Sequence, residues 1–591
     1  MTTRPFHSIR GTLALLACLL SALPPSLRAD GPSELLALSK AGAPGLALRT
    51  VDRRQPELAR DPVTWARWER VRLSLLLEAK RWDKLIQRVG GYPATLDPAF
   101  LAWAGALRAR AHLESSEPGI ARDLIRGILW SPEYRPGPEP FAELRLMIVR
   151  SYLAEGLLED ARAALLRYRQ DYTQESLTER ILHARLLIRV GEPGLVAAAL
   201  GEAQTREGRA LALQAELDRA KRDAAEIHAE AAKLAADEAT RPADRARLWI
   251  VAARAASQSG RAVDRVLAME RALPWAPYLS ASDVIFAFDG DALWEAYRAL
   301  GLELGNRAQL LLGDDSAWLA AADRAAEQKA VVKARSLNAV VALDGVSEPA
   351  RAAGHTRLAS ALLASDDGNA VVYGLYLDAR RFERPESIPL ALRDVLANEA
   401  LTRSELPLAS SLMADLSEPP EGVDPFLWQL RRARVLILGG EEDAGIDTLY
   451  AVLAGMKTLD RAQADRFLQV VFDLQTVKRH EAAINLFIVL QPRLQDAEQR
   501  RELLFWQADS YEALGEYERA AQLYLRSAML FDPYAYDVWG QTSRFHAAES
   551  LAKAGLIADA RSVYQDLLRV TKEQDRRVVL RQRLQQLQLL Q

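Results

Sequence analysis

The sequence predicts an all-α fold, an α-solenoid of stacked helix-turn-helix hairpins forming a superhelix. Three observations predict it. Apolar residues recur at helical spacing along most of the chain, a pattern of small and bulky residues repeats at intervals of 35 to 40 residues, and no stretch shows sustained period-two alternation between Asn-Gly or Asp-Gly turns. The composition agrees: 591 residues, 49% hydrophobic, 7% aromatic and 26% charged, is that of folded protein and too apolar for a disordered one. Lys plus Arg number 76 against 79 Asp plus Glu, a net charge of −3, which argues against a global positive field and against nucleic acid as a partner.

Taken in order, the chain starts with a leader. Met1–Arg10 carries Arg4 and Arg10, Gly11–Leu23 is free of charge, and Pro24-Pro25 precedes the small-residue exit at Ala29. Basic, apolar and small-residue regions in that order are those of a secretory signal, with cleavage expected after Ala29 and a periplasmic destination. The apolar run is shorter than the ~20 residues a membrane span needs, and no later run is longer, so no transmembrane segment is expected after its removal. Cys18 is the one cysteine. Leu15-Leu16-Ala17-Cys18 faintly resembles a lipoprotein cleavage box, but the leucine run continues through it to Leu23, which argues against lipidation. Without the leader no disulfide, thiolate or Cys-ligated metal is available.

Residues 30–279 read as an N-terminal array of degenerate hairpins. Val149, Tyr152, Gly156, Ala161 and Leu165 form its best unit, and Ala184, Leu187, Gly191, Val196 and Leu200 repeat it. Ala109, Ala121 and Ile125 precede it, as do Leu73, Leu76, Trp82 and Leu85. A long Ala-rich, charged helix is expected near Arg209–Ala239, and Ala253, Ala256, Gly260 and Met269 follow as another unit. Asp-Pro pairs at Asp61-Pro62, Asp97-Pro98, Asp424-Pro425 and Asp532-Pro533 mark helix starts, because Asp accepts from free amides while Pro gives up an amide that would be unpaired. Ser176-Leu177-Thr178-Glu179 reads as a capping box. Pro274-Trp275-Ala276-Pro277 closes this array. Residues 280–417 keep the helical period but lose the repeat, and are expected to form irregular hairpins. Residues 418–591, opened by Pro419-Pro420, form the C-terminal array.

That array holds the clearest unit: Ala508, Tyr511, Gly515, Tyr517, Ala520 and Tyr524. Small Ala508 and Ala520 let two helices approach, Gly515 permits the turn, and the tyrosines fill the flanks. Ala548, Leu551, Gly555, Ala560 and Tyr564 repeat it downstream; Val471, Leu474, Ala483 and Phe487, then Ala433, Leu436, Gly440 and Leu449, repeat it upstream. Leu580, Leu584, Leu587 and Leu590 line one face of a terminal capping helix. The pattern resembles the tetratricopeptide repeat (TPR), a helical hairpin of about 34 residues. It departs from it in a proline one position late and in Ser527 at a small position of the second helix.

Catalytic patterns are not found: Gly-x-Ser-x-Gly, the phosphate-binding Gly-x-x-x-x-Gly-Lys-Ser/Thr and His-Glu-x-x-His are all missing. His112, His183, His228, His355, His480 and His546 are isolated in sequence. Asp289-Gly290-Asp291 and Asp366-Asp367-Gly368-Asn369 lack the ligand order of a calcium loop. No cofactor, metal or enzymatic activity is expected. Trp65, Trp68, Trp82, Trp103 and Trp130 sit in helical patterns and are expected to pack in the core, although tryptophans could also stack on glycan. Soluble lytic transglycosylases carry a comparable superhelix, but the residues after Ala560 suffice only for one or two helices and not for their lysozyme-like domain.

The TPR resemblance implies a concave surface lined by the first helix of each hairpin, suited to a peptide or protein face. On the family template Arg434, Gln475, Asp509, Glu512, Glu549 and Lys553 point inward as candidate partner-binding residues. The expected function is a non-catalytic periplasmic scaffold that binds another envelope protein in a cell-wall, outer-membrane or polysaccharide-export complex. Its oligomeric state is not legible. Ala520→Arg overfills a close helix contact and buries a charge, so a loss of several kcal/mol is expected; unchanged melting would show that the hairpin register is wrong.

Overall fold

The computed structural model describes residues 32–133, 137–172, 176–201, 205–382, 384–420, 422–531 and 537–589. The leader with Cys18, the Asp532-Pro533 pair and Leu590 lie outside them. Among the described residues every regular element is helical, and the only β pairing is an isolated bridge between Leu459 and Leu494. The chain divides into two compact units, Met1–Asp289 and Gly290–Gln591.

Unit 1 contains α1 (Pro32–Lys40), α2 (Pro44–Arg54), α3 (Pro62–Glu78), α4 (Trp82–Gly90), α5 (Pro98–Glu114), α6 (Pro118–Leu129), α7 (Pro138–Glu155), α8 (Leu158–Asp171), α9 (Leu177–Arg189), α10 (Val196–Leu200), α11 (Arg206–Asp218), α12 (Ala224–Ala236), α13 (Pro242–Gln258) and α14 (Ala262–Ala272). A 3-10 turn, Leu273–Tyr278, and an irregular segment to Asp289 complete it. Unit 2 opens with α15 (Gly290–Leu304), α16 (Arg307–Leu311), α17 (Asp315–Glu327), α18 (Val331–Asp344), α19 (Glu348–Leu363), α20 (Gly368–Tyr376), α21 (Leu390–Thr402) and α22 (Leu406–Met413). It continues as α23 (Pro425–Gly439), α24 (Glu442–Ala454), α25 (Arg461–Thr476), α26 (His480–Leu490), α27 (Ala497–Ala513), α28 (Tyr517–Ala528), α29 (Val538–Lys553), α30 (Ile557–Val570) and α31 (Gln574–Leu589).

Helix starts follow the local chemistry. The side chains of Asp61, Asp97 and Asp424 accept from the amides of Thr64, Phe100 and Leu427, each with Pro at the first helical position. Ser176 accepts from the Glu179 amide, but the Glu179 carboxylate turns away to Arg169, so only half of the expected capping box forms. The complete box is at Asp460 and Gln463, which opens α25.

Helix ends are more uniform than the sequence indicates. Among the described residues thirteen helix pairs turn on one left-handed residue, Gly42, Lys80, Ser116, Gly156, Gly191, Gly260, Gly313, Lys329, Ser404, Gly440, Lys478, Gly515 or Gly555. In each, the following amide donates to the carbonyl five residues before it, as Glu516 N does to Tyr511 O and Arg479 N to Leu474 O, at 2.8–3.0 Å. This is the Schellman closure, which satisfies the carbonyls a helix end leaves orphaned. Ala220 makes a related left-handed turn between α11 and α12. It splits the expected long helix of residues 209–239 in two, a break the sequence does not announce because neither Gly nor Pro stands there.

Between the two helices of each hairpin the predicted small residues are sealed. Ala109, Ala121, Val149, Ala161, Ala184, Val196, Ala433, Val471, Ala483, Ala508, Ala520, Ala548 and Ala560 are all 0% exposed. Tyr524, Tyr564 and Phe487 fill the flanks, also buried. In the hairpin α23–α24 a glycine completes the contact: a Cβ on Gly445 would lie 2.6 Å from Ile437 Cγ1 and 2.8 Å from Ala433 O. Leu580 and Leu587 of α31 bury against α29 and α30, sealing the last hairpin. Trp65 and Trp68 are buried as expected, whereas Trp130, the residue that caps α6, is 76% exposed because it stands past the last helical turn. In unit 1, Glu69 is fully buried and accepts from Gln55, Arg72, Arg88 and Tyr92. Burial works against its charge, yet the hydrogen bonds from Arg88, Tyr92 and Gln55 prevail and hold its carboxyl below the ordinary range.

One substitution at two glycines separates close approach from helix propensity. Gly445→Ala forces atoms apart in a packed contact and is expected to cost about 1–3 kcal/mol. Gly127→Ala in α6, where an added Cβ meets nothing within 4 Å, is expected to stabilise by about 0.5 kcal/mol. Thermal or urea unfolding of the two variants should move in opposite directions.

Candidate functional site

Because the turn geometry is constant, a fixed offset from the left-handed residue selects a fixed face of the first helix. Six residues before it stand Arg434, Phe472, Asp509 and Glu549 in the last four hairpins of unit 2. Three of the six predicted partner-binding residues share this position. Gln475 and Glu512 lie one turn further on, and Lys553 follows one residue later still.

The structure ties these side chains into a ladder that runs from one first helix to the next. Arg434 Nε on α23 pairs with Asp473 Oδ2 on α25 at 3.0 Å. Gln475 Nε2 on α25 donates to Trp506 O at 2.9 Å and to Ser510 Oγ at 2.7 Å, both on α27. Glu512 on α27 receives Lys553 Nζ of α29 at 2.6 Å, Tyr524 Oη at 3.1 Å and Ser550 Oγ at 3.3 Å. Glu549 on α29 receives Arg583 Nη2 of α31 at 2.8 Å. Asp509 sits half-buried beside Glu512 with His480 and His546 nearby. Arg434 is 54% and Lys553 50% exposed in side chain, so these pairs contribute under about 1 kcal/mol each and serve chiefly to orient the face.

Sequence reasoning did not single out Asp473, Ser510, Arg583 or the aromatic shelf alongside. Phe472 and Trp506 pack with ring centroids 5.0 Å apart, Phe505 and Trp506 at 5.3 Å, and His546 stacks on Tyr524 at 5.4 Å. The six-residue offset would have found Phe472; the others lie at offsets the template does not mark.

Applied to unit 1, the same offset selects Arg110, Arg150, Arg185, Gln214 and Arg254 in five successive hairpins. These were missed although they share the position of Arg434 and Asp509. Three of the arginines grip the irregular segment that follows Tyr278. Arg150 donates through Nε to Ser282 Oγ at 2.6 Å and through Nη2 to Ser280 Oγ at 2.5 Å. Arg185 Nη2 reaches Asp283 Oδ2 at 2.9 Å. Arg254 Nη2 donates to Ile285 O at 2.7 Å, its guanidinium lies over the Phe286 ring, and its Nη1 donates to Gln214. Arg247, two turns earlier on α13, adds a second bond to Asp283 Oδ2 at 2.9 Å. The first-helix face of unit 1 therefore holds the seven residues Ser280–Phe286, a run of turns without helix or strand.

Among the described residues no cluster of three His, Cys, Asp or Glu is placed to hold a metal ion, and no helix is long and apolar enough to cross a membrane.

No family model and no curated protein matches the chain. Solved structures do. Yeast Tom70 is similar over 84% of this chain and 97% of its own, at 10% identity and a TM-score of 0.22. The pentatricopeptide repeat protein PPR10, in complex with an 18-nt psaJ RNA element, is similar over 95% of this chain and 87% of its own, at 14% identity and a TM-score of 0.28. The assignment of this chain to a TPR-like helical-repeat fold rests on its own hairpins, their turns and their small-residue contacts. The expectation that nucleic acid is excluded as a partner requires correction. The net charge of −3 that motivated the exclusion is an average over the chain and conceals a row of arginines on one face.

Burial, and secondarily the charge of Glu512, holds the Asp509 carboxyl above the ordinary aspartate range. A carboxyl raised in the folded state destabilises once ionised, so the cost appears as pH rises above the unfolded value of about 4. Asp509→Asn is therefore expected to melt higher than the parent at pH 7, with the gain fading toward pH 4; equal melting at pH 7 would contradict this reading of the site.

Proposed function

We propose that the chain is a non-catalytic scaffold of the cell envelope, exported by its leader, that holds an extended polypeptide segment of a protein partner on the first-helix faces of its C-terminal hairpins. The observation that carries this reading is in unit 1, where the equivalent face already holds a non-helical, turn-rich stretch of polypeptide by side-chain bonds from first helices. In unit 2 the same register presents Asp509 and Glu549 with Gln475, Glu512, Lys553 and Arg434 beside an aromatic shelf. A mixed-charge, aromatic-rimmed face suits a peptide whose affinity sums over many shallow contacts. The polar groups there are engaged with one another and with backbone carbonyls rather than converging on one reacting atom, which favours binding over catalysis.

Position-specific photo-crosslinking tests this in cells. A photoreactive residue replacing Glu549 is expected to capture one reproducible polypeptide, and mass spectrometry to place the crosslink in an extended segment of it. The same residue at Arg519, on the exposed start of a second helix, should capture none. Lys553→Glu should reduce the capture at least tenfold, and osmotic shock should release the protein without its leader. Capture of only glycan or RNA at Glu549 would overturn the proposal.

A further inference from the structure

The segment Pro277–Phe286 connects α14 to unit 2, yet a mere connector of that length needs none of the contacts it makes. Lys80, the turn residue of α3–α4, donates to Pro277 O at 3.3 Å and lies over Tyr278. Arg150 takes both hydroxyls of the Ser280-Ala281-Ser282 stretch, and Asp283 is 1% exposed between Arg185 and Arg247. Val284 and Ile285 fill a cleft with Leu153 and Leu182 down to about 10 Å³, at the limit of one water, and Phe286 is fully buried under Arg254. The residues contacted come from α7, α9 and α13, 98 to 132 positions away for Arg185 and Arg150.

This is how a helical-repeat groove reads a ligand: side chains from the first helices of several hairpins, a carboxylate at the centre, a backbone carbonyl and an apolar anchor at the end. The fit is also incomplete. Asp283 Oδ1 and Arg185 Nε are buried without a hydrogen-bond partner among the described residues, so the resident segment leaves part of this polar centre unsatisfied. Being tethered, the segment acts at an effective concentration of about millimolar, so even a modest intrinsic affinity keeps it seated.

We infer that Ser280–Phe286 is a resident pseudo-ligand: the first-helix face of unit 1 is a binding groove for a turn-forming segment bearing hydroxyls, then a carboxylate, then apolar residues, and the chain's own segment occupies it until a partner segment of that chemistry displaces it. The inference rests on the scaffold reading but concerns the other unit, so capture at Glu549 and exchange in unit 1 succeed or fail separately.

The test uses the full chain and a fluorescein-labelled synthetic peptide of residues 277–289. Ser282→Ala with Asp283→Ala loosens the resident segment while leaving every groove arginine in place. The loosened chain is expected to bind the peptide at least tenfold more tightly than the parent by fluorescence anisotropy. Adding Arg185→Glu should abolish that binding, as should placing Arg at the Asp283 position of the peptide. A folded, loosened chain that binds no better than the parent would overturn the inference. Should the loosened chain fail to fold, hydrogen exchange on the parent decides. Several millimolar peptide should accelerate exchange of the amides of residues 280–286 and leave α7, α9 and α13 unchanged; no acceleration would mean that the segment is a fixed structural strap.

Discussion

A left-handed residue closed by one backbone hydrogen bond is the constraint on which the rest of the structure depends. The bond from the amide after the turn to the carbonyl five residues earlier fixes where each first helix stops and where its partner starts. With both fixed, the pairs Ala433 and Gly445, Ala508 and Ala520, and Ala548 and Ala560 meet in the same way each time. Six hairpin turns place Lys, Ser or Ala in the left-handed conformation, at roughly 1 kcal/mol each over glycine. The packing of the sealed small residues outweighs that cost.

The same constraint explains what was readable from the sequence and what was not. Where the turn residue is glycine and the contact residues are alanine, as at Gly515 and Gly555, a one-dimensional template finds both helices and their inward face. Lys80, Ser116, Ala220, Lys329, Ser404 and Lys478 carry no such signal, and the template weakens or fails at each, most plainly at Ala220. Trp130 was misassigned because periodicity does not reveal that a helix has already ended. The predicted site residues Glu512 and Lys553 do meet, because they lie one hairpin apart on the same face. The grip of Arg150 and Arg185 on Ser282 and Asp283 was illegible because nothing local relates residues so far apart.

Constant geometry also separates fold from charge. The contacts between the two helices of a hairpin are made by small and aromatic residues, while the position six residues before the turn takes residues of very different size and charge. It is Arg110, Arg150, Arg185, Gln214 and Arg254 in unit 1, and Arg434, Phe472, Asp509 and Glu549 in the last hairpins of unit 2. The two faces have opposite character, and the whole-chain charge of −3 reports neither.

Energetics favour reading those positions as recognition. Half-exposed pairs such as Arg434 with Asp473 or Lys553 with Glu512 add little to stability. Buried ones such as Asp283 between Arg185 and Arg247 recover in attraction roughly what desolvation removes. Neither kind is needed to hold hairpins already stacked by Ala508, Ala520 and Tyr524. What such charges supply is discrimination, since a buried carboxylate facing two guanidiniums penalises any segment that brings an uncharged or cationic residue to that point. The fold is therefore specified by the residues between the helices, and the choice of ligand by a separate set that can change sign from one unit to the next without disturbing the stack.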